Sequence, residues 1–298
     1  MQVPRFEPFA ALRYNASLPL DLVAAPPYDV LSDADVDHLL ARHPRNIVTI
    51  DVPRESVGPG RYQQAADTLT AWIADGTVVR DPEPSFTIYR MTFTDEAGRT
   101  RTTVGVLGAL EVVDEGAGGV LPHERTTPKA KSDRLDLTRA TNTNLSPVWG
   151  LSLTAGLTDL LLAPGEAVGH CHDENGVLHE VERVTEPSRV AAISAAVGSN
   201  PVLIADGHHR YAISRTYRDE VRTAGHTGTP AELTLTYVAE LVEDQLSIDA
   251  IHRLYHGVSH EQLLDILRAS FDLSEAGTVT PRFSSEVVTR GALCLVRP

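Results

Sequence analysis

One stretch constrains the fold more than any other: Val202, Leu203, Ile204, Ala205, Asp206, Gly207, His208, His209, Arg210, Tyr211, Ala212. The four apolar residues 202–205 have the length and composition of a short buried strand. Asp206 and Gly207 end it, and a helix-like run follows from residue 211 to about 222. A strand that turns through glycine into a helix brings free backbone N–H groups to the edge of a sheet. His208, His209 and Arg210 add two imidazoles and a guanidinium there, which together suit an anion, phosphate foremost. The alternative is a turn with an incidental histidine pair. Zinc is a weaker rival, because adjacent histidines point apart and no HxH or HxxxH spacing supports them.

Around this unit, helices and strands alternate. Helices are expected at 33–42 (capped by Ser32), 61–75, 129–140, 187–197 and 260–270. Strands are expected at 46–52, 147–153, 232–242 and 247–255, with a hairpin of 85–94 and 100–111 turning at 95–98. Segments 157–162 and 177–184 carry weaker signals. Neither an internal repeat nor a linker interrupts the pattern, so the expectation is one mixed α/β (α+β) unit over 1–298.

Charge narrows the function. The formal net charge of -14 disfavours nucleic-acid binding, which relies on Lys and Arg, and docking on an anionic membrane. The two cysteines, Cys171 and Cys294, form neither a CxxC pair nor a zinc spacing, which fits a reduced cytoplasm. The first residues lack a signal-peptide pattern, and no apolar run approaches the ~20 residues that span a bilayer.

A second cluster of chemistry runs through His123, Glu124, Arg125, Thr126, Thr127, Lys129, Lys131, Asp133 and Arg134. Such a run is often a solvated loop. Pro122 and Pro128 stiffen this one, Glu124 suits a base or metal ligand, and its cations and hydroxyls suit phosphates. Smaller groups are Tyr28–Asp29 after two prolines, Asn144 and Ser146 in an Asx-rich turn, and His252–Arg253 at a strand end; each has a plain structural alternative. His170–Cys171–His172–Asp173 is too tightly spaced to hold one tetrahedral ion alone. The chain has no Walker loop, strand-linked GxGxxG, GxSxG elbow or kinase signature.

PPYDVLS (26–32), HERTTPKAKSDRLDL (123–137), NLSPVWGL (144–151), ADGHHRYA (205–212) and IHRL (251–254) together resemble the family known as domain of unknown function 1015. The resemblance spans nearly the whole chain. The DGHHR segment is also similar to a motif of the ParB/sulfiredoxin superfamily, which includes free-serine kinases. That second resemblance implies a phosphate-binding core at 185–257 within a larger mixed-sheet domain, and binding of ATP or ADP with Mg²⁺. It also implies phosphate-binding roles for Gly207, His208, His209 and Arg210, with Asp206 near magnesium or the acceptor hydroxyl.

Three functions follow as expectations. The first is a phosphotransferase acting on a small hydroxylated metabolite, with free serine as a candidate acceptor. Glu124 and Asp206 would share the base and metal roles, and His123, Arg125, Thr126, Lys129 and Arg134 would bind phosphates. Tyr28, Asp29, Asn144, Ser146, His252 and Arg253 would contact the substrate. The second is a non-catalytic nucleotide sensor. The third, a DNA-binding ParB-like protein, is the least compatible with the charge. A sulfiredoxin-like reductase is disfavoured because His208 stands where that chemistry needs cysteine.

Overall fold

The computed structural model describes residues 3–95, 98–124, 131–245, 255–275, 277 and 294–295. They belong to two compact units, Met1–Ser247 and Ile248–Pro298. The strands are β1 (Phe6–Glu7), β2 (Leu12–Tyr14), β3 (Val78–Arg80), β4 (Phe86–Thr94), β5 (Thr100–Glu111) and β6 (Val120–Leu121). They continue with β7 (Val148–Ser152), β8 (Glu166–His172), β9 (Leu178–Val184), β10 (Val202–Asp206) and β11 (Leu233–Glu240). The helices are α1 (Leu20–Val23), α2 (Asp33–Arg42), α3 (Val48–Asp51), α4 (Arg61–Ala74) and α5 (Lys131–Thr141). After them come α6 (Leu157–Leu162), α7 (Pro187–Val197), α8 (His208–Thr223) and, in the second unit, α9 (His260–Arg268).

The class is mixed α/β. The main sheet runs β6-β10-β7-β11-β5-β4-β9-β8, with β1 paired to β5. The β6–β10 and β7–β11 pairs are parallel, and the remaining pairs are antiparallel. The expected hairpin is β4–β5, with Thr94 opposite Thr100. Alternation sends Phe86 and Ile88 of β4 into the main core, where they meet Leu157, Leu161, Ile193 and Val197 of α6 and α7. Each such buried side chain contributes ~2 kcal/mol relative to exposure. Among residues 185–245, β10 and β11 are not neighbours; β7 lies between them.

Two local features position the site. Ser32 caps α2 in a reciprocal box with Asp35, fixing where the chain leaves the Pro26–Pro27 segment. Helix α5 packs against both α4 and α8, with Arg139 bonded to Glu220 of α8.

Residues 46–52 correct the sequence expectation. Their β-branched run suggests a strand, yet 48–51 form the short helix α3. The Asn46 side chain decides this. Its amide donates to the carbonyls of Leu22 and Ala24, and its oxygen accepts from the Val48 N–H. Those bonds satisfy a buried turn that no strand partner reaches, while Val48 and Ile50 bury fully. The second difference is at α8, which begins at His208 and not at residue 211. The strand expected at 247–255 falls almost wholly outside the described residues.

Candidate functional site

The β10–α8 junction carries the site. Gly207 adopts φ 85° and caps α8 without a side chain. A Cβ there would lie 3.2 Å from the Val148 Cα, so glycine is needed both for its dihedral and for the close passage of β7. His208, His209 and Arg210 therefore form the first turn of the helix, where backbone N–H groups lack intrahelical acceptors. A cavity of about 360 Å³ opens at this turn. Its wall includes Gly207 to Arg210, Asp206, Tyr28, Asp29, Glu124, Asp133 and Arg134. Residues far apart in sequence thus meet at one place.

Arg210 is the best-held cation. Its side chain is 12% exposed. Nη2 donates to Asp206 at 2.8 Å and to Asp29 at 3.2 Å, and Nη1 donates to the Pro147 carbonyl. Nε is buried with no hydrogen-bond partner among the described residues. Burial works against the charge, but Asp206 and then Asp29 outweigh it and hold the guanidinium pKa above its ordinary value.

Arg134, expected to contact phosphate, lines the cavity and is held by protein partners. It donates to the Asp51 carboxylate at 2.8 Å and to the Asp51 carbonyl at 2.5 Å. Its guanidinium carbon lies 3.3 Å from the centre of the Tyr28 ring, a cation–π stack. Asp51 is buried and also accepts from the Ser146 hydroxyl at 3.1 Å. Asp51, Arg134 and Tyr28 therefore form a braced wall.

His208 is buried, and the His123 backbone N–H donates to its Nε2 at 3.3 Å. That bond assigns the ring proton to Nδ1, which lies 3.7 Å from a Glu124 oxygen. Burial, then the neighbouring His123 ring at 4.5 Å, lowers the His208 pKa below its ordinary 6.5. The bond from the His123 N–H ties that residue to the helix. His209 also lines the cavity.

A smaller space of about 50 Å³ shares Tyr28, Arg134 and Arg210 with the first. Asn144 and Ser146 line it, joined by Thr234 and Ser214. Asn144 accepts from Thr234, and Thr234 meets Ser214 at 2.8 Å. Arg125, Thr126, Lys129, His252 and Arg253 lie outside the described residues.

Asp51 has no place in the sequence reading, and Asp133 stands in the second polar cluster without an assigned role. Asp133 accepts from the Tyr62 hydroxyl at 2.6 Å and from Arg61 at 3.3 Å. Burial and then that carboxylate push the Tyr62 pKa up to about 12. Asp133 stands in the polar run at 123–134, which was a usable signal. Asp51 ends a run that suggests a strand, which concealed it.

Four carboxylates, Asp29, Glu124, Asp133 and Asp206, face two guanidiniums across the cavity. Among the described residues, no group of three or more His, Cys, Asp or Glu is placed to hold a metal ion, His170–Asp173 included. Asp206 and Glu124 both line the cavity, and Asp206 is engaged by Arg210 Nη2 at 2.8 Å. No helix among the described residues is long and apolar enough to cross a membrane.

The family model described as protein of unknown function (DUF1015) matches residues 6–294, and the chain belongs to that family. No curated protein matches the chain. No solved structure matches it either.

Proposed function

We propose, for this member of a family whose description assigns no activity, that the cavity at the start of α8 binds the phosphates of ATP or ADP with Mg²⁺. The reaction we assign to it is phosphoryl transfer to a small hydroxylated metabolite, with free serine as the first candidate acceptor. The observation that carries this reading is Arg210: a guanidinium only 12% exposed, set in the wall of a 360 Å³ cavity at a helix start with no side-chain cap. Helix dipole, backbone donors and guanidinium all favour negative charge there. The similarity of DGHHR to the ParB/sulfiredoxin motif supports the same ligand.

Phosphoryl transfer needs positioning and charge neutralisation more than covalent chemistry. In this reading, Arg210 and the first turn of α8 neutralise phosphate oxygens, and His209 lines the same wall. Asp206 and Glu124 divide the duties of holding magnesium and orienting the acceptor hydroxyl. His208 accepts from the His123 backbone N–H and so holds that residue beside the helix start. Tyr28, Asn144 and Ser146, the acceptor contacts in this reading, border the smaller space that adjoins the cavity. A second reading, a nucleotide sensor without turnover, is favoured by one fact: Asp206 is tied to Arg210 and so is encumbered as a base.

Calorimetric titration with MgATP and MgADP, followed by ADP release with a panel of amino acids and sugars, tests both readings. Saturable binding that Arg210→Met weakens tenfold or more is expected, with acceptor-dependent ADP release. Binding without turnover selects the sensor. No nucleotide binding refutes both.

A further inference from the structure

We infer that Asp29 is a built-in anion that occupies Arg210 and must be displaced before an anionic ligand binds. This inference rests on the reading of the cavity as a phosphate site and goes beyond it by assigning the site a closed state.

The argument begins with a charge imbalance. Asp206 and Asp29 share a single nitrogen of Arg210, Nη2, at 2.8 and 3.2 Å. Two carboxylates on one guanidinium leave a local charge of about -1, which repels a further anion. A phosphate gains full use of Arg210 only if one carboxylate leaves.

The backbone indicates which one. Asp206 belongs to the β10–α8 junction, is four residues from Arg210, and has the shorter bond. Asp29 sits in a one-turn 3-10 helix, Tyr28–Val30, after the exposed Pro26 and Pro27. Its neighbour Val30 is 68% exposed and anchors nothing. The last bond of that turn, Leu31 N–H to the Tyr28 carbonyl, is long at 3.4 Å. Tyr28 itself is braced on Arg134, so the movement pivots beside a fixed ring. Asp29 lines the same cavity that the ligand would enter.

The sign of one substitution separates this role from its opposite. If Asp29 helps to hold the ligand, directly or through magnesium, removing its charge weakens binding. If Asp29 competes with the ligand, removing its charge strengthens binding. The test uses the full chain and inorganic pyrophosphate, titrated calorimetrically in EDTA and again in Mg²⁺. Asp29→Asn is expected to bind pyrophosphate about tenfold more tightly than the unsubstituted chain, and Asp29→Ala at least as tightly. Adding Arg210→Met to Asp29→Asn should abolish the gain. Hydrogen exchange of residues 24–31 should speed up on adding pyrophosphate and already be fast in Asp29→Asn.

Equal or weaker binding by Asp29→Asn overturns the inference while leaving the phosphate site standing. Binding by neither protein overturns both. Binding that appears only in Asp29→Asn supports it, as the case of a fully closed site.

Discussion

Replacing Asp51 with alanine should cost unit Met1–Ser247 about 3 kcal/mol. The pair it forms with Arg134 is 9% and 13% exposed at its two side chains. Removing one partner of such a pair strands the other, at roughly 3–5 kcal/mol. Two contacts keep the cost at the low end. The Asp51 main-chain carbonyl remains on Nη1, and Asp133 stands 3.8 Å from Arg134 Nε. Asp51→Asn should cost less, about 1–2 kcal/mol. Its amide oxygen keeps the Arg134 bond, the Ser146 hydroxyl turns to accept from the new NH₂, and only the charge is lost. Arg134→Met should couple to Asp51→Ala, because the double variant strands no charge. The double loss should therefore fall short of the sum by about 2 kcal/mol. Urea unfolding followed by tryptophan fluorescence is the assay. Trp72 and Trp149 are the two tryptophans, and both lie in this unit. Trp72 shares a core cluster with Ile50, next to the substituted residue. A loss below about 1 kcal/mol for Asp51→Ala, or additive single losses, would refute the braced wall.

Two further outcomes are expected. Gly207→Ala should lose about 2 kcal/mol in the same assay, from the +85° dihedral and the 3.2 Å approach to Val148; a loss under ~0.5 kcal/mol would show that the junction relaxes freely. The lowered pKa of His208 gives stability a pH slope: the native state resists protonation that the unfolded chain accepts at about 6.5. This contribution is complete above that pH and is lost as pH falls from it towards the folded-state value. Denaturation midpoints between roughly pH 5 and 7 should therefore flatten in His208→Gln, and an unchanged slope would assign the effect to another group.

Much of the frame is legible locally. Ser32 with Asp35 announces α2, Pro187 and Gly198 bracket α7, and Gly98 donates back to the Asp95 carbonyl beside the β4–β5 hairpin. In each case the deciding contacts lie within a few residues. The failures are of another kind. Asn46 selects a helix over a strand by bonding to carbonyls more than twenty positions away. The start of α8 at His208 is masked because its cap is a left-handed glycine and not a side-chain acceptor. At the site, residue types that suit phosphate stand out in sequence. Their partners do not: Arg134 bonds Asp51 across 83 positions, and Arg210 bonds Asp29 across 181. Whether an arginine is available or already engaged is a property of the closed fold.

The position of β11 has a kinetic consequence. It lies between β7 and β5, pairing with both, yet it ends at Glu240 and, among the described residues, is the last strand of the sheet to be synthesised. Until it emerges, β5 and β7 each present an inner edge whose peptide groups have no partner, exposed to other chains. The hairpin β4–β5 can form early and locally, but joining it to β7 and β10 waits on contacts spanning more than a hundred residues, the slow class of folding event. A chain truncated between α8 and Glu240 should therefore be a sticky intermediate, even though it contains the entire β10–α8 junction. Solubility of nested C-terminal truncations should change abruptly across 233–240.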